Sequence, residues 1–145
     1  MCLIKLDAMK YLDPISTIMT SNVKTIDIND SLYDAKSIML RKKIRHLPVL
    51  NKTRLVGILS LTDIMRLSFG QVFVGQEDTD QAMMDMLNIE QIMREHLRTI
   101  DEKMTIQDTA EIFALEEFHA LPVVGLKGLV GIVTTTDLIK YFIKD

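Results

Sequence analysis

The chain carries one cysteine, no tryptophan, three prolines and six glycines, and aromatic residues fill only 6% of its 145 positions. A single cysteine, Cys2, excludes an intramolecular disulfide, so the fold must be held by packing. No stretch approaches the about 20 apolar residues of a membrane-spanning helix, and Lys5, Asp7 and Lys10 interrupt the apolar run that a secretory leader would need. The expected location is the cytoplasm, with no membrane partner. Positive charge is also short. Seventeen Lys and Arg against 20 Asp and Glu give a net charge of −3, which leaves no overall electrostatic reason to expect a nucleic acid partner. The histidines, His46, His96 and His119, lack zinc-ligand spacing, and there is no glycine-rich phosphate loop of the P-loop type, so no metal site is expected. What is present is an ordinary globular composition, 48% hydrophobic and 26% charged. A chain of this length buries roughly 68–70% of the surface its unfolded form exposes, enough for a core without a staple.

An internal repeat organises the chain. A shift of about 74 residues superimposes Ile18-Met19 on Ile92-Met93, Thr25-Ile26-Asp27 on Thr99-Ile100-Asp101, and Leu47-Pro48-Val49 on Leu121-Pro122-Val123. The same register carries Leu55-Val56-Gly57-Ile58 onto Leu129-Val130-Gly131-Ile132 and Thr62-Asp63 onto Thr136-Asp137, with about 17 of roughly 58 paired positions identical. The reading divides the chain into a tail at 1–12, a first repeat at 13–67, an insertion at 68–87 and a second repeat at 88–145. Each repeat is too small to be comfortably stable alone, so the two are expected to pack across an approximate two-fold axis.

Period and punctuation give the elements. Asp13-Pro14 reads as an N-cap followed by proline at the first helical position, opening a short helix through Met19, with its counterpart starting at Asn88. Thr25-Ile26 is a brief extended piece. Asn29, Asp30 and Ser31 then supply cap residues for a helix with Leu32, Ala35 and Met39 on one face; in the second repeat Thr105 and Asp108 have capping-box spacing, and Ile106, Ala110 and Phe113 form the stripe. The apolar runs 47–50 and 55–59, joined by polar Asn51-Lys52-Thr53-Arg54, predict a β-hairpin that 121–124 and 129–133 repeat. A last helix from Thr62 or Thr136 closes each unit as β-α-β-β-α, an α/β fold with a small mixed sheet. The insertion has an apolar, glycine-bracketed half and an acidic half running into Met83, Met84 and Met86. It reads as a connecting loop with a helical turn or two, or as a partner-binding flap.

The strongest motif ends each hairpin: Gly57-Ile58-Leu59-Ser60-Leu61-Thr62-Asp63 and Gly131-Ile132-Val133-Thr134-Thr135-Thr136-Asp137. Glycine permits close approach of a ligand or of backbone, and a helix N-terminus offers free N–H donors suited to phosphate. The two acceptor oxygens of an aspartate there suit the vicinal hydroxyls of a ribose. Sugar plus phosphate points to a nucleotide. The duller alternative is that Thr62 and Thr136 are N-caps and that Asp63 and Asp137 only complement the helix dipole.

With both repeats and both motifs in view, the chain resembles a tandem pair of CBS domains, the Bateman module, from about Asp13 to Phe142. The resemblance implies a non-catalytic regulatory module with adenosine-containing ligands in clefts between the repeats. By that likeness Asp63 and Asp137 hold ribose, while Ser60, Thr62, Thr134 and Thr136 match hydroxyl positions near ribose or phosphate. Thr25-Ile26, Thr99-Ile100, Ile58 and Ile132 match positions around the base, and Arg45-His46 and His119-Ala120 match phosphate-facing positions. AMP, ADP or ATP are the implied ligands, with S-adenosylmethionine or NAD as alternatives and the part played by Mg²⁺ left open. The family also implies a homodimer, through helices such as 62–67 and 136–142, and a protein target whose identity the sequence does not encode.

The repeats differ where phosphate would sit. Arg41, Lys42, Lys43, Arg45 and His46 make the first approach basic, whereas Glu116, Glu117 and Ala120 make the second acidic or neutral. The Asp63 cleft is expected to favour a phosphorylated ligand, since Arg45 can give a bidentate, charge-assisted contact. The Asp137 cleft is expected to take fewer phosphates or to stay empty. No nucleophile with a nearby base is apparent, so the chain is not expected to be an enzyme. The reading from another class is a ligand-independent dimerisation or scaffold module.

Overall fold

A computed structural model describes residues 11–69, 84–95 and 97–144. The chain forms two compact units, Lys24–Leu97 and the pair of segments Met1–Val23 with Arg98–Asp145. These units are not the sequence repeats, because each takes its leading segment from the other repeat.

In the unit Lys24–Leu97 the elements are β1 (Ile26–Asp27), α1 (Leu32–Lys42), β2 (His46–Asn51), β3 (Arg54–Ser60), α2 (Leu61–Phe69) and α3 (Ile89–Ile92). The sheet has the order β1-β2-β3, with β1 parallel and β3 antiparallel to β2, which is the small mixed sheet expected. Ser31 caps α1 by accepting the Asp34 N–H at 3.0 Å, and Arg41 and Lys42 lie in the last turn, where cations complement the helix dipole. The predicted stripe Leu32, Ala35 and Met39 is fully buried against Leu47, Val49, Leu59 and Ile64. Ile89 of α3, from the second repeat, completes this core. Asn88 opens α3 with a reciprocal capping box to Gln91.

In the other unit a 3-10 turn (Ile15–Thr17) accompanies β4 (Ile100–Asp101), α4 (Ile106–Leu115), β5 (Ala120–Gly125), β6 (Gly128–Thr134) and α5 (Thr135–Ile143), with the sheet order β4-β5-β6. Ile15 is fully buried among Ile100, Ile106, Leu121, Val123 and Val133, all from the second repeat. Its N–H donates to the Met104 carbonyl at 2.7 Å. The Tyr11 ring stands edge-on to Phe142 with centroids 5.4 Å apart.

Several expectations need correction. Asp13 does not cap the first segment: Pro14 occupies the cap position, with no side-chain cap bond, and only three residues are helical. Proline's fixed φ suits either position, so sequence alone does not separate them. The four-residue hairpin links shrink to two residues, because Asn51 pairs with Arg54 and Gly125 with Gly128. The α4 stripe also includes Thr109, which is fully buried, its hydroxyl donating to the Thr105 carbonyl at 2.9 Å. Most of the tail, with Cys2, and residues 70–83 of the insertion lie outside the described residues, as does His96. Of the insertion's methionines, Met84 is buried in the core with Ile89.

Candidate functional site

In the unit Lys24–Leu97, strand pairing gathers the motif side chains at one end of the sheet. His46 opens β2 opposite Ser60, the last residue of β3, and the Leu61 N–H donates to the Arg45 carbonyl at 2.8 Å. Strand β3 therefore passes into α2 without a turn. Ser60 is the cap, its Oγ accepting the Asp63 N–H at 3.0 Å, and Thr62 sits exposed in the first turn. The second unit has the same junction: Thr134 Oγ1 accepts the Asp137 N–H at 3.1 Å, and the Thr135 N–H donates to the His119 carbonyl at 3.0 Å. The helices thus start at Leu61 and Thr135, one residue before the start expected at Thr62 and Thr136, and their caps lie two residues before those threonines. The motif hydroxyls Ser60 and Thr134 hold the helix, a role worth about 1 kcal/mol each.

The two aspartates are used differently. Asp137 Oδ2 accepts the Thr134 N–H at 2.9 Å and completes a capping box. Asp63 instead faces guanidinium groups, with Oδ1 at 3.4 Å from Arg66 Nη1 and Oδ2 at 3.9 Å from Arg94 Nε. Arg45 Nη2 lies 3.5 Å from Thr62 Oγ1 beside them. The Asp63 side chain is 17% exposed and those of Arg66 and Arg94 are 70% and 58% exposed, so these ion pairs contribute little to stability. Their importance is charge: two guanidinium groups face one carboxylate, and a third, that of Arg45, reaches the neighbouring Thr62 hydroxyl. By the repeat register the corresponding places around Asp137 hold His119, Lys140 and Thr20.

The remaining predicted residues flank this end. Ile26 and Ile100 are buried in their units' cores, so their segments can meet a ligand only through backbone or through Thr25 and Thr99 beside them. Val49 opposite Ile26 faces the core, and the period of two puts Pro48 and Ile58, paired with each other, on the opposite face. Pro122 and Ile132 are paired in the same way. Ile58 exchanges two backbone hydrogen bonds with Arg94, at 3.1 and 2.9 Å, and Ile132 does so with Thr20, at 3.1 and 2.9 Å. The motif glycines make that approach possible. A Cβ on Gly57 would stand 2.4 Å from Met93 Sδ and 3.1 Å from the Arg94 carbonyl oxygen, and one on Gly131 would stand 2.4 Å from Met19 Sδ. Among the described residues no group of three His, Cys, Asp or Glu is placed to hold a metal ion.

The family described as CBS domain matches the chain twice, over residues 15–70 and 89–144. The chain belongs to the CBS domain family. Protein MJ1225 of Methanocaldococcus jannaschii is 30% identical over 139 residues, covering 94% of this chain, which spans 50% of that relative's length. The CBS domain of a CBS domain-containing membrane protein from Sphaerobacter thermophilus superimposes with a TM-score of 0.83 at 25% identity, over 96% of this chain and 93% of that one. The CBS domain pair of protein MJ0100, solved with 5'-methylthioadenosine and S-adenosyl-L-methionine, gives 0.74 at 26% identity, over 90% of this chain and 96% of that one. In this CBS pair no helix among the described residues is long and apolar enough to cross a membrane.

Arg66 and Arg94 escaped the sequence reading. Arg66 lies three residues after Asp63, a spacing that places it on the same helix face. Arg94 stands where the first CBS repeat has Thr20 after its Ile-Met pair, one of many places at which the two repeats differ, so the register alone does not single it out.

Proposed function

We propose that this CBS pair is a regulatory module that binds an adenosine-containing ligand, an adenine mono-, di- or triphosphate at the Asp63 site, and acts through its conformation or assembly. The observation that carries the reading is the β3–α2 junction, where one half-buried carboxylate suited to ribose hydroxyls faces Arg66 and Arg94, with Arg45 on the adjacent Thr62, all three suited to phosphate. The adenosine compounds bound by the MJ0100 pair support the choice of nucleoside. Thr25 and Ile58 would border the base, and His46 and Thr62 would border the phosphate. The Asp137 site, with His119, Thr136, Thr99 and Ile132, is poorer in charge and would take fewer phosphates. Regulation then requires that the ligand prefer one of two states, because equal affinity for both shifts nothing.

Thermal unfolding of the nucleotide-stripped protein with AMP, ADP, ATP, S-adenosylmethionine or NAD, with and without Mg²⁺, tests this. A ligand at 100 times its Kd stabilises the native state by about 2.7 kcal/mol, and Asp63→Ala is expected to remove most of the gain from ADP and ATP, whose phosphates suit this site rather than the Asp137 one. No shift from any adenosine compound at millimolar concentration would refute the proposal.

A scaffold role draws on the exposed apolar residues of α5, Ile139 at 58%, Phe142 at 46% and Ile143 at 75%. A homodimer of the usual size would bury about 1,600 Å² in total. Sedimentation at micromolar concentration is expected to give twice the chain mass without ligand; a monomer there removes the scaffold reading.

A further inference from the structure

Arg94 does not belong to the repeated motif, yet it reaches the motif's aspartate. Its backbone is fixed by the two hydrogen bonds to Ile58, and its preceding residue, Met93, lies against the open side of Gly57. Only its side chain is left to move, more than half exposed, with Nε 3.9 Å from Asp63 Oδ2. Arg66 takes the other carboxylate oxygen at 3.4 Å, so both oxygens of Asp63 face cations. A ribose that hydrogen-bonds Asp63 must compete with these groups. Where Arg94 stands beside Asp63, the first repeat supplies Thr20, which carries no charge and makes the same backbone bridge to Ile132.

We propose that Arg94 is the specificity-determining residue of the Asp63 site: it occupies the carboxylate when no ligand is present and turns to an anionic group of the ligand when ribose replaces it. The inference rests on the adenosine-ligand reading. It makes the site selective for anionic nucleotides, because a neutral nucleoside displaces Arg94 without giving it a new partner, whereas a phosphate offers a charge-assisted one. Removing Arg94 should therefore act in opposite directions on the two ligand types. It deletes a phosphate contact, and it also deletes a competitor for Asp63.

The test is calorimetric titration of the full chain with AMP and with adenosine, comparing Arg94→Thr and Arg94→Lys with the parent in an Asp137→Asn background. That background keeps an acceptor at the α5 cap and removes the second carboxylate. Arg94→Thr is expected to weaken AMP about tenfold or more while leaving adenosine unchanged or tighter, and Arg94→Lys to retain part of the AMP preference. Unaltered melting of the variants would show that the bridge to Ile58, which uses backbone alone, survives. If AMP and adenosine change by the same factor, or not at all, the assignment of Arg94 falls and the adenosine reading stands. If AMP binds the wild type but not the Asp137→Asn chain, the ligand sits at Asp137 and Arg94 again loses the role. If the wild type binds neither ligand, both proposals fall together.

Discussion

Truncating Ile15 to alanine is expected to destabilise the protein by about 2–5 kcal/mol, although the element that carries it is a three-residue turn. Such a turn has no stability of its own, and its helical bonds are too few to nucleate. It persists because Ile15 is fully buried among Ile100, Ile106, Leu121, Val123 and Val133, and because its neighbours bond to the loop before α4: Ile15 N–H to the Met104 carbonyl at 2.7 Å and Ser16 N–H to the Glu102 carbonyl at 3.2 Å. Alanine removes three carbons from a packed site and leaves a cavity that the backbone, pinned by those bonds, cannot close. Urea unfolding gives the loss in stability, and the melting temperature should fall on the order of 10 °C for a chain of this size. Methyl chemical shifts give its place: those of Leu121, Val123 and Val133 should move, while those of Leu47, Val49 and Leu59 should not. Ile89→Ala should produce the reverse pattern, since Ile89 belongs to the core of Leu47, Val49 and Leu59. If Ile15→Ala instead perturbed the methyls of its own sequence repeat, the exchange of leading segments would be wrong.

That exchange is the part of the fold the sequence does not carry. The hairpins, the helix stripes and the caps at Ser31, Asn88 and Thr105 are local, so period and spacing reveal them directly. Which sheet a leading segment docks on is not local. Met93 lies over Gly57 and Met19 over Gly131 with nearly the same separations, so each segment carries a key that fits both sheets, and a repeat register is blind to the choice. Of the candidate site, the residues at the strand-to-helix junction were legible because both repeats hold them at one spacing. Their roles were less so. Ser60 and Thr134 are the caps because β3 and β6 run straight into their helices, a junction that offers Thr62 and Thr136 no capping geometry. Ile26 and Ile100 look like ligand-facing residues in a motif but are core residues in space, because a two-residue strand buries alternate side chains. Arg94 is visible in the sequence only as a departure from the repeat, and its meaning appears once the backbone bridge brings it to Asp63.

Gly57→Ala is expected to cost about 1–3 kcal/mol, a second large effect, and the cost should be partly recoverable. The added Cβ would meet Met93 Sδ at 2.4 Å and Met93 Cγ at 2.9 Å, contacts a flexible thioether can relieve only by leaving its place on the core. It would also meet the Arg94 carbonyl oxygen at 3.1 Å, and that atom is held by the bond from the Ile58 N–H. Met93→Ala removes the first clash but not the second. In a double-mutant cycle read by urea unfolding, Gly57→Ala with Met93→Ala should be less destabilised than the sum of the single changes by about 1 kcal/mol, with the remainder reflecting the strained backbone bridge. Additive losses would mean that Met93 and Gly57 are not in contact. Gly128→Ala serves as the control, because a Cβ there meets nothing within 4 Å and the cost arises from a φ of +103°, which no change at Met93 can relieve. The same substitution bears on the ligand site. Pushing the 93–94 segment off β3 moves the Arg94 guanidinium away from Asp63, so Gly57→Ala should weaken the preference for AMP over adenosine in the same direction as Arg94→Thr, while leaving every side chain of the charge cluster present.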